Sequence, residues 1–161
     1  MPIRILVLLI ALFAAPVKTL AQSSFEQAAI IQLQCLAPPN PLPLLEMLDA
    51  MGKIDPENMT SMDSISCFEI SGGIAISGMM FQSVCAFESD PTQRAKRPDL
   101  LVRAAGTPPV QQISFGTGEN LAALTKWYEI AIGPKHVTRA FETADNTIDG
   151  KNHVTCTGWF P

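Results

Sequence analysis

The stretch from Cys67 to Glu88, CFEISGGIAISGMMFQSVCAFE, constrains the fold of this chain more than any other. Its apolar runs are short and are broken at Gly72-Gly73 and Gly78. Such a pattern suits a small antiparallel sheet and does not suit a helix, which needs a longer run with a 3.6-residue period. It predicts strands near Ile65–Ile70, Ile74–Ser77 and Met80–Phe87, joined as a meander that turns at the two glycine sites. Phe81, Cys85 and Phe87 are expected to share one face of the last strand.

The N-terminal segment has a different character. Arg4 precedes an eleven-residue apolar run, Ile5 to Ala15. That is too short to span a bilayer and is the size of a secretory signal core. Thr19-Leu20-Ala21 then places small residues at the two positions a signal peptidase reads. A cut after Ala21 makes Gln22 the first mature residue, whereas a cut after Ala15 would put Pro16 at the scissile bond. No cysteine follows the apolar run to carry a lipid. The expectation is a signal peptide over 1–21 and one exported domain over 22–161, periplasmic or secreted, with no stable membrane anchor once the signal is gone.

Losing Arg4 and Lys18 with the signal takes the net charge from −4 to −6. An acidic domain argues against binding to nucleic acid or to an anionic membrane surface. The positive charge present gathers at Arg94, Lys96, Arg97 and Arg103, either as a contact for an acidic partner or as a solvated loop.

Four cysteines, Cys35, Cys67, Cys85 and Cys156, follow the signal. An even number in an exported chain indicates two disulfides, and the spacings fit no zinc-ligand pair. Within a tight meander Cys67 lies across from Ser77 and Met80. The expected pairing is therefore Cys35–Cys67 with Cys85–Cys156. A looser glycine-rich connection would instead bring Cys67 to Cys85.

Along the rest of the chain, Ser24 and Gln27 form a capping box for a helix over Phe25–Leu36, with Ala28, Ile31 and Cys35 in one stripe. Pro38-Pro39 stop it. Pro41 and Pro43 open a second helix over Leu42–Met51, ended by Gly52. Asp55-Pro56-Glu57-Asn58 reads as a capped turn. Ser89 to Arg97 reads as loop broken at Asp90-Pro91, and Val110–Phe115 reads as a strand. Thr117 is the expected cap of a third helix carrying Leu121, Leu124, Trp127 and Tyr128, stopped by Gly133-Pro134. HVTRAFET and HVTCTGWF then form a terminal hairpin of open register. The fold class is α+β: a single small disulfide-stabilised domain, with a mainly antiparallel sheet and helices packed on one side.

Chemistry is sparse in the sequence. There is no GxSxG and no SxxK. His136 and His153 fall on the two sides of the last hairpin, without a third ligand at a metal-binding spacing. Met59 and Met62 are soft-ligand types, but methionine is first a packing residue. GTGEN at a helix start offers backbone donors to an anion, opposed by Glu119. No cofactor and no metal are expected. The functional expectation is a non-enzymatic binding, interaction or inhibitor-type domain with a protein partner in the envelope or medium. Its candidate surfaces are Arg94–Arg103 and Trp159-Phe160. The alternative is a small exported hydrolase assembled from scattered carboxylates or from His136 and His153.

Overall fold

A computed structural model describes residues 16–62, 64–102, 110–133, 141–145 and 149–159. Its elements are α1 (Pro16–Leu33), α2 (Pro41–Ala50), β1 (Thr60–Met62), β2 (Ile65–Ile76), β3 (Met79–Phe87), α3 (Pro91–Lys96), β4 (Val110–Thr117), α4 (Leu121–Ala131), β5 (Phe141–Asp145) and β6 (Asn152–Trp159). The strands form one six-stranded sheet in the order β1-β2-β3-β4-β6-β5, and every neighbouring pair is antiparallel. The expected α+β class with a mainly antiparallel sheet is what the chain adopts.

Strand alternation divides the sheet into two unlike faces. Register aligns Phe68, Val84, Phe115 and Val154 in one row, and Ser66, Ala86, Ile113 and Cys156 in the next. These rows meet Phe25 and Leu33 of α1, Leu44, Leu45 and Leu48 of α2, and Leu124, Trp127 and Tyr128 of α4 in one buried cluster. The helices that bury apolar side chains therefore share one side of the sheet. Edge-to-face contacts link Phe25 to Phe115, Phe115 to Phe81 and Phe81 to Trp127, with centroids 6.1, 5.9 and 5.1 Å apart. The Trp127 indole donates to the carbonyls of Ile76 and Ser77, so its polar edge is satisfied inside the core.

Several local expectations are corrected. The meander turns once and not twice. Ile65 to Ile76 is a single strand, and Gly72-Gly73 form a bulge in it, both at φ 67°. Pairing with β3 resumes beyond the bulge, from Glu69↔Ser83 to Ile74↔Phe81. Left-handed φ at two successive glycines lets the extra residues loop out without reversing the strand. The Lys53 ammonium donates to the carbonyls of Ser71 and Gly73, which otherwise lack ladder partners. The reversal itself comes at Ser77-Gly78, with φ 45° and 81°.

The bulge also separates Phe81 from Cys85. Phe81 lies in the core, while Cys85 and Phe87 are buried outside that cluster, so those two share a face as expected and Phe81 does not. In α1 the buried stripe is Phe25, Ala29 and Leu33, and Ile31 is exposed. The helix runs through Ser24, because Leu20, Ala21 and Gln22 are themselves good helix formers. Asp90-Pro91 starts α3 instead of breaking the chain: the Asp90 carboxylate accepts from Thr92 N–H, and Pro91 sits in the first turn. Asn120, not Thr117, caps α4 through the N–H of Ala123.

All four cysteines are bonded, but the expected pairing is reversed. The bridges are Cys35–Cys156 and Cys67–Cys85. The reason is the pleat. Cys156 pairs with Ile113 and so faces the helices, whereas Cys85 pairs with Ser114 and faces away. Cys67 and Cys85 are direct cross-strand partners with Cα atoms 4.1 Å apart. Cys35, at φ 57° just past the end of α1, reaches Cys156 from the helix side.

Non-reducing peptide mapping should recover Cys35–Cys156 and Cys67–Cys85 peptides. The first bridge closes a separation of 121 residues and the second 18. Replacing Cys35 and Cys156 by alanine should therefore cost about 5 kcal/mol in a denaturant titration, against about 3 kcal/mol for Cys67 and Cys85.

Candidate functional site

The sheet face away from the core cluster carries a different chemistry. Its central row reads Glu69, Ser83, Gly116 and His153 across β2, β3, β4 and β6, and the adjacent row reads Cys67, Cys85, Ser114 and Thr155. His153 is 1% exposed, and Ser83 and Ser114 are equally buried. They are joined by Asp149, which precedes Gly150 in the turn leading into β6.

His153 Nε2 lies 2.9 and 3.0 Å from the two Asp149 oxygens, and Nδ1 lies 2.8 Å from Ser114 Oγ. Ser114 Oγ is in turn 2.8 Å from Thr155 Oγ1. The Ser83 hydroxyl donates to Asp149 Oδ2, and the Lys151 N–H donates to Oδ1. Lys151 Nζ is 3.7 Å from Asp149 and 2.7 Å from Glu69, tying the turn to β2. Since an ionised carboxylate only accepts, Nε2 carries the proton facing Asp149. In the neutral ring Nδ1 is then the acceptor of the Ser114 hydroxyl.

Burial opposes charge on Asp149, but hydrogen bonds from Ser83 and His153, the His153 charge and the Lys151 N–H outweigh it. Together they hold the carboxyl below its ordinary value of 3.8. Folding therefore favours the ionised form. Its contribution to stability is complete above pH 3.8 and is lost as pH falls through the lower folded-state value.

Gly116 makes the arrangement possible. A Cβ there would lie 2.2 Å from Ser83 Oγ and 2.6 Å from His153 Nε2. Only a residue without a side chain lets the β3 and β6 side chains converge over β4.

The residues resemble an acyl-transfer triad in composition but not in arrangement. In that mechanism the serine approaches the ring nitrogen opposite the one held by the carboxylate, and its oxygen must also reach substrate. Ser114 does oppose Asp149 across the ring. Its oxygen, however, is buried and held between His153 and Thr155. Ser83 contacts the carboxylate and not the base. Neither of the two described surface clefts is lined by these groups.

His136, Arg103 and Phe160 lie outside the described residues, and the Trp159 backbone pairs with Val110. Among the described residues no cluster of three or more His, Cys, Asp or Glu is arranged to hold a metal. Met59 packs against the core, while Met62 is exposed on β1. Donors in GTGEN are occupied, Gly118 N–H by Gln82 and Glu119 N–H by the Thr117 hydroxyl.

Arg97 pairs with Asp99 and Asp49, which raise its own pKa, and it holds the Asp99 carboxyl below the usual range. Arg94 donates to the Glu88 carbonyl and borders a cleft of about 430 Å3 formed with Pro91, Ala95, Pro98, Leu101 and Val102. Sequence reading identified His153 but paired it with His136. The signals that mark its true partners are a glycine inside a strand, Gly116, and the Asp149-Gly150 turn four residues upstream.

Comparison with known proteins finds no match among family models, curated proteins or solved structures.

Gly116→Ala should lose about 1–3 kcal/mol by overpacking in urea denaturation. Gly118→Ala, whose Cβ meets only Gln82 at 4.0 Å, should stay near wild type. The stability gap between wild type and Asp149→Asn should close as pH falls below about 4 and the wild-type carboxyl takes its proton.

Proposed function

We propose that the chain is an exported protein whose mature domain is a non-enzymatic binding or inhibitor-type module. The observation that carries this reading is the division of labour between the polar cluster and the surface. Ser83, Ser114, Asp149 and His153 are each bonded to other groups of the fold. The cleft of Pro91, Ala95, Pro98, Leu101 and Val102, by contrast, offers open apolar surface beside the Arg94 guanidinium. Apolar walls with one oriented charge are a common form of recognition site.

Export is supported by the apolar run, by Thr19-Leu20-Ala21 and by two disulfides, which belong to oxidising compartments. The site Ala21–Gln22 falls within α1 as that helix stands in the uncut chain. Leu20 and residues 22–24 are exposed, and the buried stripe begins only at Phe25. Cleavage after Ala21 would leave the described core whole and free Ser24 to cap the shortened helix. Among the described residues no helix is long and apolar enough to cross a membrane.

A second reading, an exported hydrolase, has one observation in its favour: the Ser114–His153–Asp149 hydrogen-bonded chain.

The two readings separate in one experiment. Mature domain from Gln22 is used for affinity capture from periplasm or medium beside Ala95→Arg, which fills the cleft from an exposed position. The same preparation is assayed on ester and peptide substrates beside Ser114→Ala. The binding reading expects a partner retained by wild type and lost by Ala95→Arg, with no turnover. Turnover abolished by Ser114→Ala, with no partner retained, would replace it with the hydrolase.

A further inference from the structure

The hydroxyl chain behind His153 has a property that an ordinary buried histidine lacks. A buried imidazole that gains a proton turns Nδ1 from an acceptor into a donor. Where its neighbour there can only donate, a hydrogen bond becomes a clash of donors. Here the neighbour is Ser114 Oγ, and the next group, at the same 2.8 Å, is Thr155 Oγ1. Both are hydroxyls, each able to donate or accept.

With the neutral ring, Thr155 donates to Ser114 and Ser114 donates to Nδ1. With the charged ring, Nδ1–H donates to Ser114, Ser114 donates to Thr155, and the Thr155 hydroxyl turns outward. Thr155 is only partly buried, so the reversed chain can end in solvent. On the other side, Nε2–H donates to Asp149 in both states.

We propose that His153 is an internal proton-binding site of the folded domain, in which reversal of the Ser114–Thr155 hydroxyl chain admits one proton with no hydrogen bond lost. Proton uptake turns the Asp149–His153 hydrogen bond into a buried ion pair. That pair clamps the Asp149–Lys151 turn onto β3 and β6 in acid.

The charge environment agrees with this. The turn brings Asp149 and Lys151, and β2 brings Glu69, which is paired to Lys151 at 2.7 Å. From β3 and β4 come only Ser83, Ser114 and Gly116. β5 places Ala144 opposite His153 and Glu142 opposite Thr155. Among the described residues Asp149 is thus the acid in direct contact with the ring, and Lys151 lies 2.7 Å from Glu69 and 3.7 Å from Asp149.

Thr155→Val isolates the reversal. It leaves Ser114 able to donate to the neutral ring, but it strips Ser114 of its acceptor once the ring is charged. Thr155→Ser restores the acceptor. The experiment follows the His153 ring nitrogens by 15N NMR as the pH is lowered from about 8 to 5. Signals are assigned against a His136→Gln variant, and unfolding is followed in parallel.

The expected result is a ring that becomes doubly protonated while the chain stays folded. Thr155→Val should lose more stability in acid, where the Ser114 donor is stranded, than near neutrality, where only the bond donated by Thr155 is lost, and Thr155→Ser should behave as wild type. A ring that stays singly protonated until the chain unfolds would overturn the proposal. So would a Thr155→Val variant equally weakened at both ends of the range.

Discussion

Ser114, Phe115 and Gly116 are consecutive residues of β4, and the pleat sends them to opposite faces of the sheet. Phe115 lies between Phe25 and Phe81 in the aromatic chain of the core. Ser114 bonds His153, and Gly116 gives His153 and Ser83 room to converge. A slip of one residue in this strand would drive a hydroxyl into the core and a phenyl ring into the polar network. The register of β4 against β3 and β6 is thus fixed from both faces at once. The disulfides follow from the same alternation: Cys35–Cys156 crosses to the helices on the Phe115 side, and Cys67–Cys85 staples β2 to β3 on the Ser114 side.

Placing Asp149, His153 and two serines out of solvent carries a desolvation cost that apolar residues would avoid. It is offset because the network is closed. Asp149 accepts from Ser83, His153 and the Lys151 N–H, while each ring nitrogen of His153 has one partner. Closed networks of this kind add directional constraints that an apolar contact lacks, and a half-satisfied one would be worse than none. They join β3, β4 and β6 to a turn that contributes little apolar surface. Gly150 adds no side chain to that turn, and the Lys151 side chain, 17% exposed, is held by its ion pairs to Glu69 and Asp149.

Much of the fold was legible wherever one local signal sufficed. Pro41 and the leucines of α2, Leu121 to Gly133 around α4, and the apolar residues of β4 each combine a period with a start or stop. The parts that were not legible depend on partners distant in sequence. Gly72-Gly73 can turn or bulge, and only the continued pairing of Ile74 with Phe81 selects the bulge. Asp90-Pro91 can break a chain or begin a helix, and six residues are too few to carry a period. The face of Cys85 could not be read from Phe81, because the irregularity opposite Glu69–Ile74 changes which side Phe81 occupies. The His153 site required the register of three strands, which no single segment encodes.

That site also bears on the choice between chemistry and recognition. A general base needs one nitrogen with its lone pair aimed at a proton to be removed, and a nucleophile needs a path to its substrate. Ser114 supplies the first contact, yet its oxygen also bonds Thr155 and lies beneath the surface. An enzyme would gain from making His153 respond to a substrate. In this arrangement the nearest responsive element is instead the Thr155 hydroxyl, which can turn between Ser114 and solvent. The same three residue types that make a triad when one end is open make a clamp when both ends are closed. Which of the two a sequence produces is decided by whether the fold leaves the serine a face of its own. In this fold Ser114 Oγ is buried and bonded to both His153 and Thr155.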